Sequence, residues 1–575
     1  MTDTYDYVIV GAGSAGCVLA NRLTEDPEVK VLLLEAGPRD HWWDWRLHMP
    51  SALSYPMQSR TYNWDYHTVP QETLGGRRMH WPRGRVLGGS SSINGMAYVR
   101  GHALDYERWA ADPALAHWDY AHVLPYFRKA ESRDKGADAY HGGEGPLHVS
   151  TGRCRNPLYR AFIEAGVQAG YPLTEDQNGY RQEGFGSMDM TVSGGRRWST
   201  AMAYLRPAQK RPNLTVQTGA MTTRILLEGR QARSVEWVGR RGQVTKVRAE
   251  RELILSGGPI NSPQLLMLSG IGDADELRAA GVDPVHHLPG VGKNLQDHLE
   301  IYVQQESLQP ITLYGALSPL AKIRIGLEWY LLKRGLGATN HFEAGGFIRS
   351  RTGIKHPDLQ YHFLPMAVRY DGRNPSDRHG YQAHVGPMRS RSTGFLRLKN
   401  NDPRQHPIID PRYMSHPEDW EEMRAAVRLT REIFAQPAFD PFRGAELAPG
   451  PEVRTDAEID AWIAQHCESA YHPSCSCKMG SDAQSVVDGE CRVIGLEGLR
   501  VVDSSIMPSI VSGNLNAPTI MIAEKAADMI RGRAALPPSQ APYHVPDDWR
   551  QAQRPGGASE ELGRRRPAPV HADAL

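Results

Sequence analysis

A chain of 575 residues is too long for one ordinary core and long enough for two or three. Hydrophobic residues at 40% and charged residues at 23% suit a soluble globular protein, and a formal net charge of +1 gives no reason to expect nucleic acid or an acidic partner. No window holds about 18 uninterrupted apolar residues, Asp3 and Asp6 replace a basic leader, and six cysteines make no disulfide framework, so a reducing cytoplasm is expected.

Tyr5 to Val10 reads as a short apolar strand that runs into Gly11-Ala12-Gly13-Ser14-Ala15-Gly16 and then a helical segment through Leu23. That is a G-x-G-x-x-G turn in its strand-to-helix setting. Gly11 permits the tight turn, Gly13 the approach of a pyrophosphate, and Gly16 the packing of helix on strand, with helix N-terminal amides facing the anion. The second strand ends in Glu35, nineteen residues after Gly16, where a carboxylate accepts from a ribose diol and repels a 2′-phosphate. A dinucleotide lacking that phosphate is expected.

Next comes an aromatic-rich stretch, Trp42, Trp43, Trp45, Tyr55, Tyr62, Trp64 and Tyr66, whose irregular spacing suggests an excursion that packs as a lid. The run Gly84 to Gly95, with Gly88, Gly89, Ser90 and Asn94, lets backbone amides converge on an anion or a planar ring. Helical patterns follow over Leu104 to Lys129 and Asn156 to Ala169, and strands at Leu214 to Val216 and Arg251 to Ser256. From about Leu299 to Gln465 the texture changes to strands such as Phe342 to Ile348, Leu359 to Leu364 and Gly394 to Leu398 joined by long polar stretches, which suits an antiparallel sheet with helices on one face. Glu418 to Phe434 is an apolar-striped helix, and Thr455 to Glu458 a capping box opening another. Leu499 to Asp503 returns to a buried strand, Ala517 to Ile530 is a closing helix, and the last forty residues, rich in Pro, Arg and Ala, read as a disordered tail. Its Arg564-Arg565-Arg566 run is a solvated charge run or a peripheral membrane contact.

His466, Cys467, His472, Cys475 and Cys477 concentrate reactive groups. A zinc site would need C-x₂₋₄-C with a second pair further on, and the single C-x-C here has none, so no metal is expected. His472 as a general base is the other reading, since an imidazole titrates near operating pH and takes a hydroxyl proton.

Taken in order, the N-terminal turn with Glu35, the Gly84 to Asn94 run, the Gly258-Pro259 to Gly272 run, Tyr471-His472-Pro473, and Gly498 to Asp503 followed by Asn514 resemble the glucose-methanol-choline flavoprotein oxidoreductases over residues 4 to 535. The segments around Asn340 to Phe347, Tyr471 to Cys475 and Ser512 to Pro518 look like its choline-oxidising members. The resemblance implies an α/β fold, a Rossmann-like FAD-binding domain (1–155, 213–298 and 466–535) with an α+β substrate-binding domain of antiparallel sheet and helices (156–212 and 299–465), and a tail from 536 to 575. It implies FAD on Gly11, Gly13, Ser14, Ala15, Gly16 and Glu35, with the ring near Gly88, Gly89, Ser90, Asn94 and Gly95, and with Asp503 and Asn516 as further contacts. Ile93 stands where some choline oxidases carry a flavin-linking histidine, so the FAD is expected to be non-covalent. His472 would be the base and Asn514 its partner on the alkoxide. Glu343 and Tyr471 would hold the trimethylammonium of choline, the competing role for Glu343 being an ion pair with Arg349. The implied reaction is oxidation of choline to betaine aldehyde, and through its hydrate to glycine betaine, an osmoprotectant, with electrons passing to a respiratory quinone. The alternatives are a dehydrogenase of neutral primary alcohols or polyethylene glycols, and a hydroxynitrile lyase that keeps FAD without using it.

Overall fold

The computed structural model describes residues 4–368 and 377–554, built around two seven-stranded sheets. The first sheet is parallel at its centre. Val31–Glu35 lies between Leu214–Thr218 and Thr4–Val10, and the C-terminal half of Val244–Leu255 flanks Thr4–Val10 with Leu499–Val501 beyond it. All five residues of Val31–Glu35 are buried, as a strand covered on both faces requires. The N-terminal half of Val244–Leu255 turns antiparallel and carries the hairpin of Met221–Glu228 and Gln231–Val238 at the sheet edge.

Helix Ser14–Leu23 packs directly on the strand before it, because a β-carbon on Gly16 would fall 1.9 Å from the Gly11 carbonyl oxygen. The closing helix, Asn516–Ile530, lies along this first helix. Arg22 clamps the pair with a bidentate contact to the buried Glu524 carboxylate at 2.7 and 2.9 Å, and the Tyr204 hydroxyl donates to the same carboxylate. Residues five hundred positions apart in the chain are thereby set side by side.

The second sheet runs Arg443–Ala448, Leu299–Ser307, Gly380–Pro387, Leu359–Leu364, Ala344–Ile348, Gly184–Ser187, with the short Glu468–Ser469 pairing on the start of Leu299–Ser307, antiparallel throughout. Alternation along these strands separates its two faces. Phe363 and Tyr381 point into an aromatic core under helices Pro157–Gln168 and Pro417–Phe434, with Phe162 stacked on Phe363 at 4.6 Å and Phe439 on Tyr381 at 4.9 Å. Their neighbours His362 and His384 face the other way, toward the first sheet's cavity. The expected capping box at Thr455 is formed, Glu458 closing it.

One expectation needs correction. Residues 536–554 are not a free tail but a strap across the surface. Leu536, Ala541 and Tyr543 pack on the core, Ser539 donates to the Ala121 carbonyl, and Arg554 grips Glu432 at 2.6 and 2.7 Å. Pro and Arg richness suggested disorder there, but the apolar side chains between them find surface to cover. Residues 555–575, with the Arg564 to Arg566 run, lie outside the described residues. No described helix is long and apolar enough to cross a membrane.

Candidate active site

A cavity of about 1550 Å³ lies between the sheets. It exceeds the ~300 to 1000 Å³ of an ordinary single-ligand pocket, room for a dinucleotide and a small substrate together. Gly11, Gly13, Ser14, Ala15 and Glu35 line one end. No side chain caps helix Ser14–Leu23, so its first amides remain for an anion. Glu35 accepts from Ala12 N at 3.0 Å and Gly37 N at 2.8 Å, and burial, working against those two bonds, pushes its carboxyl up to about 7. Ser256, on the same wall, keeps a buried hydroxyl with no partner among the described residues.

Gly89, Ser90, Asn94 and Gly95 line the middle. Gly89 has φ +53°, and a β-carbon there would sit 2.6 Å from Gly13 Cα, so the two glycine loops touch and form one continuous backbone cradle. Gly16 and Gly88 stand behind the wall and shape it. Arg197, fully buried, holds the loop by donating to Asn94 O and Oδ1 at 2.6 and 2.8 Å, and burial alone lowers its pKa to about 9. Asp503 reaches the wall but spends its carboxylate on Gly258 N, Ser262 and Ser505, which fixes that corner. Asn516 accepts from Ser14 Oγ at 2.7 Å, tying the closing helix to the first turn. An extended dinucleotide fits this cradle: small backbone, uncapped amides, and a carboxylate at the far end.

The reactive end is organised around His472. The segment is over-determined: Ala470 N donates to His298 O, His472 N to Asp297 Oδ1 at 2.7 Å, Ser474 N to Gln296 O, and Tyr471 and Cys475 are held at φ +64° and +71°. Asp297 also accepts from the Ser469 and Tyr413 hydroxyls, and burial pushes its pKa up to about 6. The His472 ring bonds at both nitrogens, Nδ1 to His298 Nδ1 at 3.1 Å and Nε2 to Asn514 Nδ2 at 3.0 Å.

The direction of these bonds follows from one main-chain atom. The Met388 carbonyl can only accept, so His298 Nε2, 2.8 Å away, carries the proton. Burial holds His298 down to about 4, so it is neutral and its Nδ1 is bare. His472 Nδ1–H must therefore donate to it, which leaves His472 Nε2 as a lone pair. Asn514 then presents its NH₂ to that lone pair, and its Oδ1 accepts from Gln360 Nε2 at 3.1 Å. Burial first, then the nearby His298 ring, the Arg83 charge and the His362 ring, keep His472 well below the ordinary histidine range. His472 is thus a neutral imidazole on the cavity wall whose unprotonated Nε2 accepts from Asn514.

His298 is thus a positioning residue that sequence reading did not single out. His298→Ala is expected to slow reduction of the bound flavin about 10- to 100-fold with little change in KM, since the base loses its orienting acceptor. His298→Gln, whose amide can donate to Met388 O and accept from His472, should recover part of the loss. Equal damage in both variants would reduce His298 to packing.

The carboxylate assignment is corrected by the structure. Glu343 does not line the cavity; its oxygens accept from Cys154 N at 2.7 Å and Thr339 Oγ1 at 2.8 Å, clamping the 152–154 loop. Nor does it pair with Arg349, which is bound to Glu183 at 2.8 Å. The acid that does line the cavity near His472 is Glu300. Tyr302 Oη donates to its Oε1 at 3.1 Å, and His384 Nδ1 lies 3.4 Å from the same oxygen. Burial raises its pKa, but the bond and charge of His384, with His362 and Tyr302, outweigh that and hold the carboxyl below its ordinary range. Tyr302, His384 and His362 form one row across three strands by register. Phe342 packs on both imidazoles at 5.3 and 5.9 Å, and His362 reaches Asn514 Oδ1 at 3.3 Å. An anion in contact with Tyr302 and His384, on the cavity wall that Phe342 and Tyr471 also line, is suited to an alcohol that carries a cation.

His466, Cys467, His472, Cys475 and Cys477 do not converge. Among the described residues, the groups of potential metal ligands are Asp65, His67 and His80, and Asp138, His141 and Asp176. All six cysteines are unpaired and buried.

The GMC oxidoreductase family models match residues 5–300 and 390–523. The chain is 58% identical over 551 residues to a mitochondrial choline dehydrogenase of Mus musculus, covering 95% of this chain and 92% of that one. It is 58% identical over 544 residues to an oxygen-dependent choline dehydrogenase of Stenotrophomonas maltophilia, covering 94% and 97%. Among solved structures, pyridoxine 4-oxidase from Mesorbium loti superposes with a TM-score of 0.84 at 35% identity, covering 92% of this chain and all of that one. A formate oxidase from Aspergillus oryzae, studied for FAD modification, gives 0.86 at 26% identity, over 92% and 98%.

Proposed function

The chain belongs to the GMC oxidoreductase family, and from that premise we propose that it is an FAD-dependent choline dehydrogenase that oxidises choline to betaine aldehyde. The observation that carries the reading is the pairing of a neutral His472 with the cavity acid Glu300, because a neutral alcohol has no use for a buried carboxylate beside its site.

His472 Nε2 takes the hydroxyl proton. Asn514 Nδ2, aimed at the same point, donates to the developing alkoxide and favours its formation in a site shielded from water. Glu300 offsets the trimethylammonium charge while Tyr302, Tyr471 and Phe342 give it aromatic faces, which fixes the alcohol carbon's position relative to the base. FAD, when bound along the cradle, supplies the acceptor for the hydride that leaves the alcohol carbon. The hydrate of betaine aldehyde is itself an alcohol with the same cation, so the same groups serve a second oxidation to glycine betaine. Electrons then leave to a respiratory quinone. Anaerobic mixing with choline should bleach the flavin, which no hydroxynitrile lyase would do. Reoxidation faster with quinone than with oxygen supports the acceptor; the reverse removes it and leaves the choline reading intact.

Ile93 is buried on the cavity wall and has no nucleophilic atom. Acid precipitation of the holoenzyme should therefore leave yellow flavin in the supernatant, and flavin retained in the pellet would contradict a non-covalent cofactor.

A further inference from the structure

The ribbon formed by Tyr66–His67 and His80–Trp81 carries a cluster of side chains that the reaction does not use. Its register sets Tyr66 against Trp81 and His67 against His80, and alternation divides the two pairs between opposite faces. Tyr66 and Trp81 are buried and anchored, the first by Asn261 Nδ2 at 2.7 Å, the second through its indole N–H to Tyr413 Oη at 3.0 Å. The other face therefore presents two imidazoles from a fixed frame, their ring centroids 5.0 Å apart. Asp65, two residues before His67, adds a carboxylate to that face, with Oδ1 2.9 Å from His80 Nε2.

Asp65 is itself pinned. Its backbone stands at φ +62°, its N–H donates to Oδ1 of the buried Asn63 at 2.9 Å, and the same oxygen accepts from Arg83 N at 2.9 Å across the ribbon. One ligand atom from each of Asp65, His67 and His80 lies within 4.8 Å of the others. All three residues line the cavity while staying open to solvent, His67 most of all, so they mark its rim. A tetrahedral zinc ion with bonds of about 2.0 to 2.1 Å spaces its ligand atoms about 3.3 Å apart, within reach of a small rotation of the exposed His67 side chain. Two imidazoles and one carboxylate suit zinc and its neighbours in the first transition row, whereas magnesium and calcium take oxygen ligands. The second group of potential ligands, Asp138, His141 and Asp176, is already balanced. Its His141 bonds Glu131 at 3.0 Å and Asp176 at 2.7 Å, and Arg100 and Arg133 pair with those same two carboxylates.

We propose that Asp65, His67 and His80 bind a divalent transition ion of the zinc class at the cavity rim, and that the bound ion hinders entry of a cationic alcohol. Positive charge added to the wall of a confined entrance repels a cation and leaves a neutral molecule of the same shape nearly unaffected. The site itself is independent of the substrate; the inhibition rests on choline being the substrate, as proposed above.

Equilibrium dialysis of metal-free holoenzyme against zinc chloride reads the site without any substrate. Wild type should take up one zinc ion per chain that excess magnesium does not displace, and the double variant His67→Asn, His80→Asn should bind it at least about 10-fold more weakly. With zinc present, the KM for choline should rise about 10-fold in wild type and change less than about 2-fold in the variant, which without zinc should oxidise choline at the wild-type rate. For 3,3-dimethylbutanol, the neutral isostere of choline, the rise should be much smaller. No uptake by wild type, or equal uptake by the variant, overturns the site. Uptake with equal inhibition of both alcohols, or with none, overturns the charge barrier. A wild type that binds zinc yet never oxidises choline refutes the substrate reading, and the inhibition with it, and leaves the site standing.

Discussion

His472→Ala should retain its flavin and reduce it about 10² to 10⁴ times more slowly than wild type. The expectation rests on the proton addresses in the site. His472 Nε2 carries a lone pair on the cavity wall, for its partner His298 spends one nitrogen on Met388 O and the other on His472 itself. His362 lies nearby but is engaged with Asn514 Oδ1 and Gln360. Anaerobic stopped-flow at the flavin absorbance band measures the step directly, and the retained yellow colour shows that the fold survives. Near-normal reduction in the variant would remove His472 as the base.

The second large effect separates two carboxylates. Glu300→Gln should lose on the order of 10- to 1000-fold in kcat/KM for choline, equivalent to about 1.4 to 4 kcal/mol, since attraction to the cation in a screened site exceeds the ~1 kcal/mol of bulk water even after desolvation. For 3,3-dimethylbutanol, in which carbon replaces the charged nitrogen, the loss should be much smaller. Glu343→Gln provides the contrast: its carboxylate grips Cys154 N and Thr339, so any damage should fall equally on the two alcohols. Comparing substrates within one variant cancels general harm to folding. Equal losses for Glu300→Gln would mean the cation is held elsewhere, and selective loss for Glu343→Gln would restore the sequence-based assignment.

The sequence pointed to Glu343, which the structure places off the cavity, and not to Glu300, which lines it. The nucleotide end was readable because its signals are local: Gly11, Gly13, Gly16 and Glu35 lie within one strand-helix-strand unit whose spacing encodes its geometry. His472 and Asn514 carried motif context of their own. Glu300 sits in Leu299–Ser307, which alternates buried and half-buried residues like any antiparallel strand, so an acid on its open face looks solvated. Only the pairing Tyr302 with His384, and His384 with His362, reveals that this open face is a cavity wall, and that register joins residues 82 and 22 positions apart. Asp297 and His298 were hidden for a similar reason, since their partners Tyr413, Ser469 and Met388 come from elsewhere in the chain. The 536–554 strap failed differently: composition measures average polarity, and a segment that needs only a few anchors, such as Tyr543 and Arg554, can hold with an unpromising average.

The anchor of the hydrogen-bond series at the base is a peptide carbonyl, that of Met388, and this gives the site an unusual kind of robustness. A carbonyl neither titrates nor exchanges donor for acceptor, so the orientation it imposes through His298, His472 and Asn514 has no second solution of comparable energy. No substitution at position 388 deletes that oxygen. Side-chain scanning is therefore blind to the element that assigns the base its free electron pair, and replacing His298 reports only the first link downstream of it. In an engineered relative, the same chemistry would transfer with the path of the backbone through 388, whatever side chain that position carries.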